Sequence, residues 1–340
     1  MSTYSTITAA MLQAANARET ALPLRNAACQ SRFFLQPNPS SKVCLFFHGF
    51  TAAPFQFVPM AETFFRAGYN VLIPLLPGHG LAGNWNENCP PPLPSDRTIY
   101  QQFALDWLQQ AKSLGDQVIV GGLSGGGTVA AWLALERCQE INRTLLFAPY
   151  LSSSNKVIDL FVRHLHSYFE WTLKPGEQPL GYTGFPIPAL KAILDMGQEI
   201  LNRAKNSPAP PMFIISSASD RSVSNSDHRV LFEEVLKLQP MTWYHSFDRV
   251  LDIPHTMMIK EQGNNYQDLL ITMAKAFVES QLTWEEVEEI GYRMTQGKTF
   301  NQVVDELNLR EKVSLDMPAM MTMVDKRAIV EERNPNARHS

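Results

Sequence analysis

Gly122-Leu123-Ser124-Gly125-Gly126 sets a serine between glycines in the pattern G-x-S-x-G. A serine hydroxyl is a weak nucleophile and works only beside a base. Where such a serine ends a strand and opens a helix, the sharp turn exposes its Oγ. The helix N-terminus then offers N–H groups and positive potential to a developing oxyanion. The flanking sequence meets that condition: Gln117–Gly121 (QVIVG) reads as a buried strand, and a helical pattern runs from Thr128 to Arg137. Small neighbours suit such a turn, because strand and helix must approach closely. The competing reading, a phosphate-binding glycine loop, lacks the Lys-Ser/Thr pair of a P-loop.

A histidine is the expected base, and on this kind of turn the serine is followed first by the acid and then by the histidine. Downstream, ahead of the polar end of the chain, lie His164, His166, His228, His245 and His255. His255 is favoured, because Asp252-Ile253-Pro254-His255 falls in a loop after the last strand candidate and before the last core helix. His164 and His166 lie in a loosely patterned stretch, His228 starts a helix, and His245 sits in a strand pattern. For the acid, Asp220 stands just beyond the strand Met212–Ser216 (MFIIS), where it would fix the histidine tautomer and stabilise the imidazolium. Asp248 and Asp252, on the His255 loop itself, remain rivals; Asp227 better suits a helix N-terminus. An oxyanion hole needs two backbone donors. Gly125 follows the nucleophile, and Phe50 lies in His48-Gly49-Phe50-Thr51 after the first long strand. His79 in Pro77-Gly78-His79-Gly80 precedes the serine and reads as a loop-stabilising residue.

The elements that must hold these residues alternate. Strand candidates at Val43–Phe47, Tyr69–Leu75, Gln117–Gly121, Thr144–Ala148, Met212–Ser216 and Thr242–Phe247 are interleaved with helical patterns at 55–67, 98–113, 128–137, 227–238 and 265–279. Gly68 fits a helix stop, and 83–97 is a loop rich in Asn and Pro. Such alternation, with strands that are apolar throughout, predicts a mostly parallel sheet covered on both faces. Residues 6–20 read as an Ala-rich helix in an N-terminal extension over 1–41. Thr283-Trp284-Glu285-Glu286 and Thr299-Phe300-Asn301-Gln302 match capping boxes and predict two short helices in a C-terminal extension over 281–340. The polar end, 328–340, is expected to fray.

Together these pieces resemble an α/β-hydrolase of the serine carboxylesterase and monoacylglycerol-lipase-like group. The resemblance rests on LFFHGFTAAP at 45–54, PLLPGHG at 74–80, GLSGGG at 122–127, SASDRSV at 217–223 and DIPHTM at 252–257. It implies an α/β-hydrolase core over 42–280, with helices on both faces of a mostly parallel central sheet. It also implies a small cap insertion, here 151–207, ahead of the acid-bearing strand. The implied activity is ester hydrolysis through an acyl-enzyme, with Ser124, Asp220 and His255 as triad, Phe50 and Gly125 as oxyanion donors, and no metal or organic cofactor. Residues 1–40 and 281–340 have no counterpart in the minimal family pattern.

The cap segment Phe161–Trp171 is rich in aromatic and aliphatic residues; it either packs the cap or lines an acyl pocket, and an apolar acyl group is favoured. The same triad also serves hydrolases of peptides, thioesters or C–C bonds and acyltransferases, and a fold of this kind can be kept for binding alone. The 340 residues are 45% hydrophobic and 18% charged, a globular composition. A net charge of −4 lacks the basic excess of a nucleic-acid protein. Between 281 and 310 six acidic residues face three basic ones, the wrong sign for phosphate contact. That stretch is expected to pack on the core or to meet a protein partner. Met317, Met320, Met321 and Met323 read as buried against the core. The four cysteines show no zinc-ligand spacing; Cys44 and Cys138 read as small core residues, and a reducing, cytoplasmic setting is compatible. No apolar run of about 18 residues occurs and the start lacks a basic, then apolar leader, so neither a membrane-spanning helix nor a signal peptide is expected.

Overall fold

The computed structural model describes residues 3–155, 158–160, 162, 167–171 and 179–333. The apolar runs form strands: β1 (Arg32–Phe34), β2 (Lys42–Phe47), β3 (Asn70–Ile73), β4 (Gln117–Leu123) and β5 (Arg143–Phe147). An antiparallel pair of β6 (Tyr168–Glu170) and β7 (Gly184–Pro186) follows, then β8 (Met212–Ser217) and β9 (Trp243–Phe247). Seven of them make one sheet in the order β1-β3-β2-β4-β5-β8-β9, parallel except for β1.

Neighbouring residues on a strand point to opposite faces. Phe46 stacks on Phe57 at 5.0 Å between ring centroids and meets Phe64 of α2 (Val58–Arg66) at 6.0 Å. Phe47 turns the other way, to Phe103 of α3 (Arg97–Lys112), at 6.3 Å. Both faces are therefore covered, which is why these strands carry apolar residues without alternation. On the Phe46 face, Phe213 of β8 lies 5.4 Å from Phe277 of α7 (Gln267–Glu279).

The chain enters the parallel part at β2, steps out to β3, and returns across β2 to β4. The loops after β2 and β4 thus part at the carboxyl edge of the sheet, where a crevice opens at such a switch of strand order. His48–Thr51 follow β2 directly, and Ser124 follows β4 and opens α4 (Gly125–Glu136).

Several elements differ from expectation. The expected N-terminal extension holds α1 (Thr3–Thr20) and also β1, which joins the sheet by antiparallel pairing with β3, Arg32 opposite Ile73 and Phe34 opposite Val71. Three residues are too few to show a period. The stretch between β5 and β8 holds a long amphipathic helix, α5 (Ile187–Arg203), whose buried face includes Ile193, Met196 and Ile200 and packs on α4. Much of Phe161–Trp171, with His164 and His166, lies outside the described residues. Cys44 is buried, whereas Cys138 is only half-buried, because it starts a surface 3-10 turn. Residues 328–333 are helical, within α11 (Lys326–Arg333), while 334–340 lie outside the described residues.

Both capping boxes form, at α8 (Trp284–Thr295) and α9 (Phe300–Glu306). The C-terminal segment packs on the core. Trp284 meets Phe232 of α6 (Asn225–Leu236) at 5.4 Å, and Trp243 Nε1 donates to the Leu282 carbonyl at 3.0 Å. Met317, Met320 and Met321 of α10 (Met317–Met323) are buried, and α10 lies against α7. Among the described residues no helix is long and apolar enough to cross a membrane.

Candidate active site

Ser124 holds a φ of 53° and a ψ of −120°. A side-chain-bearing residue keeps such a conformation only where its surroundings impose it. Here the Ser124 N–H donates to the Phe147 carbonyl at 2.9 Å, and the Ser124 carbonyl accepts from Thr128 N at 2.9 Å and Tyr150 N at 3.0 Å. Gly126 lets α4 come down onto the end of β2: a Cβ there would stand 2.2 Å from the carbonyl oxygens of both Phe47 and His48.

His255 brings Nε2 to 2.8 Å from Ser124 Oγ and Nδ1 to 2.7 Å from Asp220 Oδ2. The carboxylate partner assigns the ring proton to Nδ1 and leaves Nε2 as acceptor toward the hydroxyl. The other Asp220 oxygen accepts the Ser222 N–H at 2.8 Å. Burial pushes the Asp220 carboxyl up, but the charge of His255, its hydrogen bond and the Ser222 N–H together outweigh this and hold it below its ordinary value. The hydrogen bond to His255 is made by Asp220 and not by the rival acids. Asp248 accepts from Val250 N at 2.8 Å, Asp252 closes the same turn with a φ of 45°, and Asp227 accepts the Ser152 hydroxyl.

The loop after β2 lies beside the elbow. The backbone nitrogen of Phe50 is 3.5 Å from where a Cβ on Gly125 would stand, so Phe50 and the first residue of α4 adjoin. His48 anchors this loop. Its Nδ1–H donates to the Gly49 carbonyl at 2.9 Å, and its Nε2 accepts from Leu76 N at 3.0 Å. Burial, then the nearby His79, keep His48 well below its ordinary value, hence neutral. Gly49 N donates to Gln56 Oε1 at 2.9 Å, and Gln56 Nε2 donates to Gln262 Oε1 at 2.8 Å. His79 donates from Nδ1 to the Pro77 carbonyl at 2.9 Å within its own turn.

The supporting roles of two residues, His228 and Ser217, escaped the sequence reading. His228 Nε2–H donates to the Pro149 carbonyl at 2.7 Å, and its Nδ1 accepts the Ser216 hydroxyl at 2.7 Å. Burial pushes it down to about 4. Ser217, at the end of β8, bonds to the Ile253 carbonyl on the His255 loop. The only local signal was a polar side chain closing an apolar strand or opening a helix; the partners lie 79 and 36 residues away.

A strained strand-to-helix turn at the switch point of a mostly parallel sheet defines the class of this chain. Residues 44–289 match the model of the alpha/beta hydrolase family, and the chain belongs to that family. A thermostable monoacylglycerol lipase of Bacillus sp. (strain H-257) is 36% identical over 96 residues, 26% of this chain and 34% of that protein. The chain thus matches about a third of the length of this curated relative. A structure reported for the metagenome-derived lipolytic enzymes LipS and LipT superposes with a TM-score of 0.61 at 19% identity, covering 74% of this chain and 98% of that one. The monoacylglycerol lipase of Paleococcus ferrophilus gives 0.52 at 16%, covering 71% and 98%. Both likenesses are of fold.

Proposed function

We propose that the chain is a serine hydrolase of carboxylic esters that works through an acyl-enzyme on Ser124. The observation that carries this reading is the continuous hydrogen-bonded row Ser124 Oγ, His255, Asp220. Ser124 Oγ attacks the ester carbonyl while His255 Nε2 takes its proton. Asp220 stabilises the resulting imidazolium. Phe50 and Gly125 N–H groups bind the oxyanion, each donor typically contributing about 3 kcal/mol. Collapse expels the alcohol, protonated by His255, and leaves the acyl group on Ser124. Water, deprotonated by His255, then releases the acid.

An apolar acyl group fits the aromatic wall beside Phe50. Phe50 lies 5.2 Å from Phe185, which in turn meets Phe169 at 5.3 Å and Trp171 at 5.5 Å. The monoacylglycerol lipase relative points to the same substrate class. On this reading the core over 42–280 carries the chemistry, and the insertion after β5 supplies the acyl wall. Residues 1–41 and 281–340 extend that core without adding a member to the triad. We read the chain as cytoplasmic, since all four cysteines are unpaired.

The test is hydrolysis of p-nitrophenyl esters from short to long acyl chains by wild type and Ser124→Ala, with fluorophosphonate labelling in parallel. The expected result is Ser124-dependent labelling and turnover, kcat falling on the order of 10⁴-fold or more in the variant, and a preference for longer chains. Full activity in Ser124→Ala overturns the reading.

A further inference from the structure

The loop that carries Phe50 is held from outside the core. Thr51, next to Phe50, has a φ of 64°, a backbone state that needs external support. Its carbonyl accepts the Tyr182 N–H at 2.7 Å. Gly181 presses on the same oxygen, and a Cβ at 181 would stand 1.9 Å from it. Gly181 and Tyr182 belong to the insertion, yet they are fastened to two other segments. The Tyr182 hydroxyl donates to the Gly78 carbonyl at 2.8 Å and accepts from Leu81 N at 3.0 Å, bracketing the Pro77–Gly80 turn. Arg25 Nη1 donates to the Gly181 carbonyl at 2.7 Å, and the Cys29 thiol donates to the Leu180 carbonyl at 3.4 Å. Arg25 N donates to the Gly80 carbonyl at 2.8 Å, and Ala82 N to that of Pro23 at 2.6 Å, so residues 23–25 lie as a short antiparallel strap on the turn.

We propose that Gly181 and Tyr182, clamped by Arg25 of the N-terminal extension, are positioning residues that aim the Phe50 N–H at the oxyanion. The inference rests on the reading of Phe50 as a donor. An oxyanion donor acts only when fixed at hydrogen-bond distance before the charge develops, and a misplacement of about 1 Å lowers the rate on the order of 100-fold. The carbonyl of Thr51, the residue after Phe50, is gripped by the clamp, so the clamp sets the course of the loop that carries the Phe50 N–H. It also gives residues 23–29 a part in catalysis.

The test uses the full-length protein, with wild type and Ser124→Ala run first on a p-nitrophenyl ester and a fluorophosphonate probe. Gly181→Ala, Arg25→Met and Arg25→Lys are then compared in kcat, KM, thermal midpoint and inhibition by a trifluoromethyl ketone. That ketone adds Ser124 Oγ to its carbonyl, passes the proton to His255 and leaves an oxyanion in the hole. Gly181→Ala is expected to lower kcat on the order of 10- to 100-fold with KM within about two-fold, and to weaken the ketone by the same factor. Arg25→Met is expected to lower kcat by about three- to ten-fold with an unchanged midpoint, and Arg25→Lys to restore most of it. Arg25 is exposed, so its variants carry the test even where Gly181→Ala fails to fold. Wild-type kcat and ketone affinity in Arg25→Met overturn the inference while Ser124-dependent turnover leaves the ester-hydrolase reading standing. Absence of both Ser124-dependent turnover and labelling overturns both.

Discussion

The hydroxyl of Ser217 donates to the carbonyl of Ile253 at 2.7 Å and so ties the Asp220 loop to the His255 loop. The same oxygen accepts the Ser219 N–H at 3.2 Å, one residue before Asp220. Ser217 is fully buried, so its loss leaves the Ile253 carbonyl without a donor. Ser217→Ala is expected to lower kcat on the order of ten-fold and stability by about 1–3 kcal/mol. Ester kinetics and urea unfolding check this; an unchanged kcat would mean that the two loops align without the tie.

Asp220→Asn keeps the shape of the site and reverses its proton. An amide N–H facing His255 Nδ1 forces the ring proton to Nε2, where it meets the serine instead of accepting from it. The expected loss is on the order of 10⁴-fold in kcat with little change in KM. Asp248→Asn and Asp252→Asn are the controls, because those carboxylates lie on the His255 loop without meeting His255 in the structure. A larger loss in either control than in Asp220→Asn would reassign the acid.

Acid should weaken the fold through buried histidines. Burial is the leading cause that holds His79, His228 and His245 down to about 4 and keeps His48 well below its ordinary value. In the unfolded chain these rings take a proton near 6.5. Below that pH the unfolded state binds more protons, so stability falls as pH drops from about 6.5 toward 4 and is level above about 7 for these groups. Each unit of depression corresponds to about 1.4 kcal/mol. The thermal midpoint, followed from pH 4.5 to 8, is expected to rise and then plateau. A midpoint that falls between pH 5 and 6.5 contradicts this.

The C-terminal helices should unfold with the core. Ile290 on α8 is fully buried, and Arg143 Nη2, on β5, donates to the Ser280 carbonyl at 3.2 Å and to Gln281 Oε1 at 2.9 Å. Ile290→Ala is expected to cost about 2–5 kcal/mol of the whole protein's stability in one transition. A separate early transition, with the main one unmoved, would make the tail an independent unit.

What the sequence determined by itself was local. The G-x-S-x-G turn between an apolar strand and a helix, the apolar runs of β2 and β4, and the capping boxes of α8 and α9 all write their geometry within a few residues. Their spacing and chain order brought Ser124, Asp220, His255, Phe50 and Gly125 forward as one set. Short or long-range features were silent. β1 has three residues and α5 was hidden behind a Pro-Gly-rich stretch, so neither stood out as a period. Which carboxylate stands beside His255 is a distance, and Asp220, Asp248 and Asp252 differ in it only once β8 and β9 pair in register. The contacts of Ser217 with Ile253, His228 with Pro149 and Gly181 with Thr51 join segments 36, 79 and more than 100 residues apart. No side chain in such a pair announces its partner, because hydrogen-bond and close-packing geometry exists only after the sheet has assembled. Tertiary structure decided those contacts for that reason.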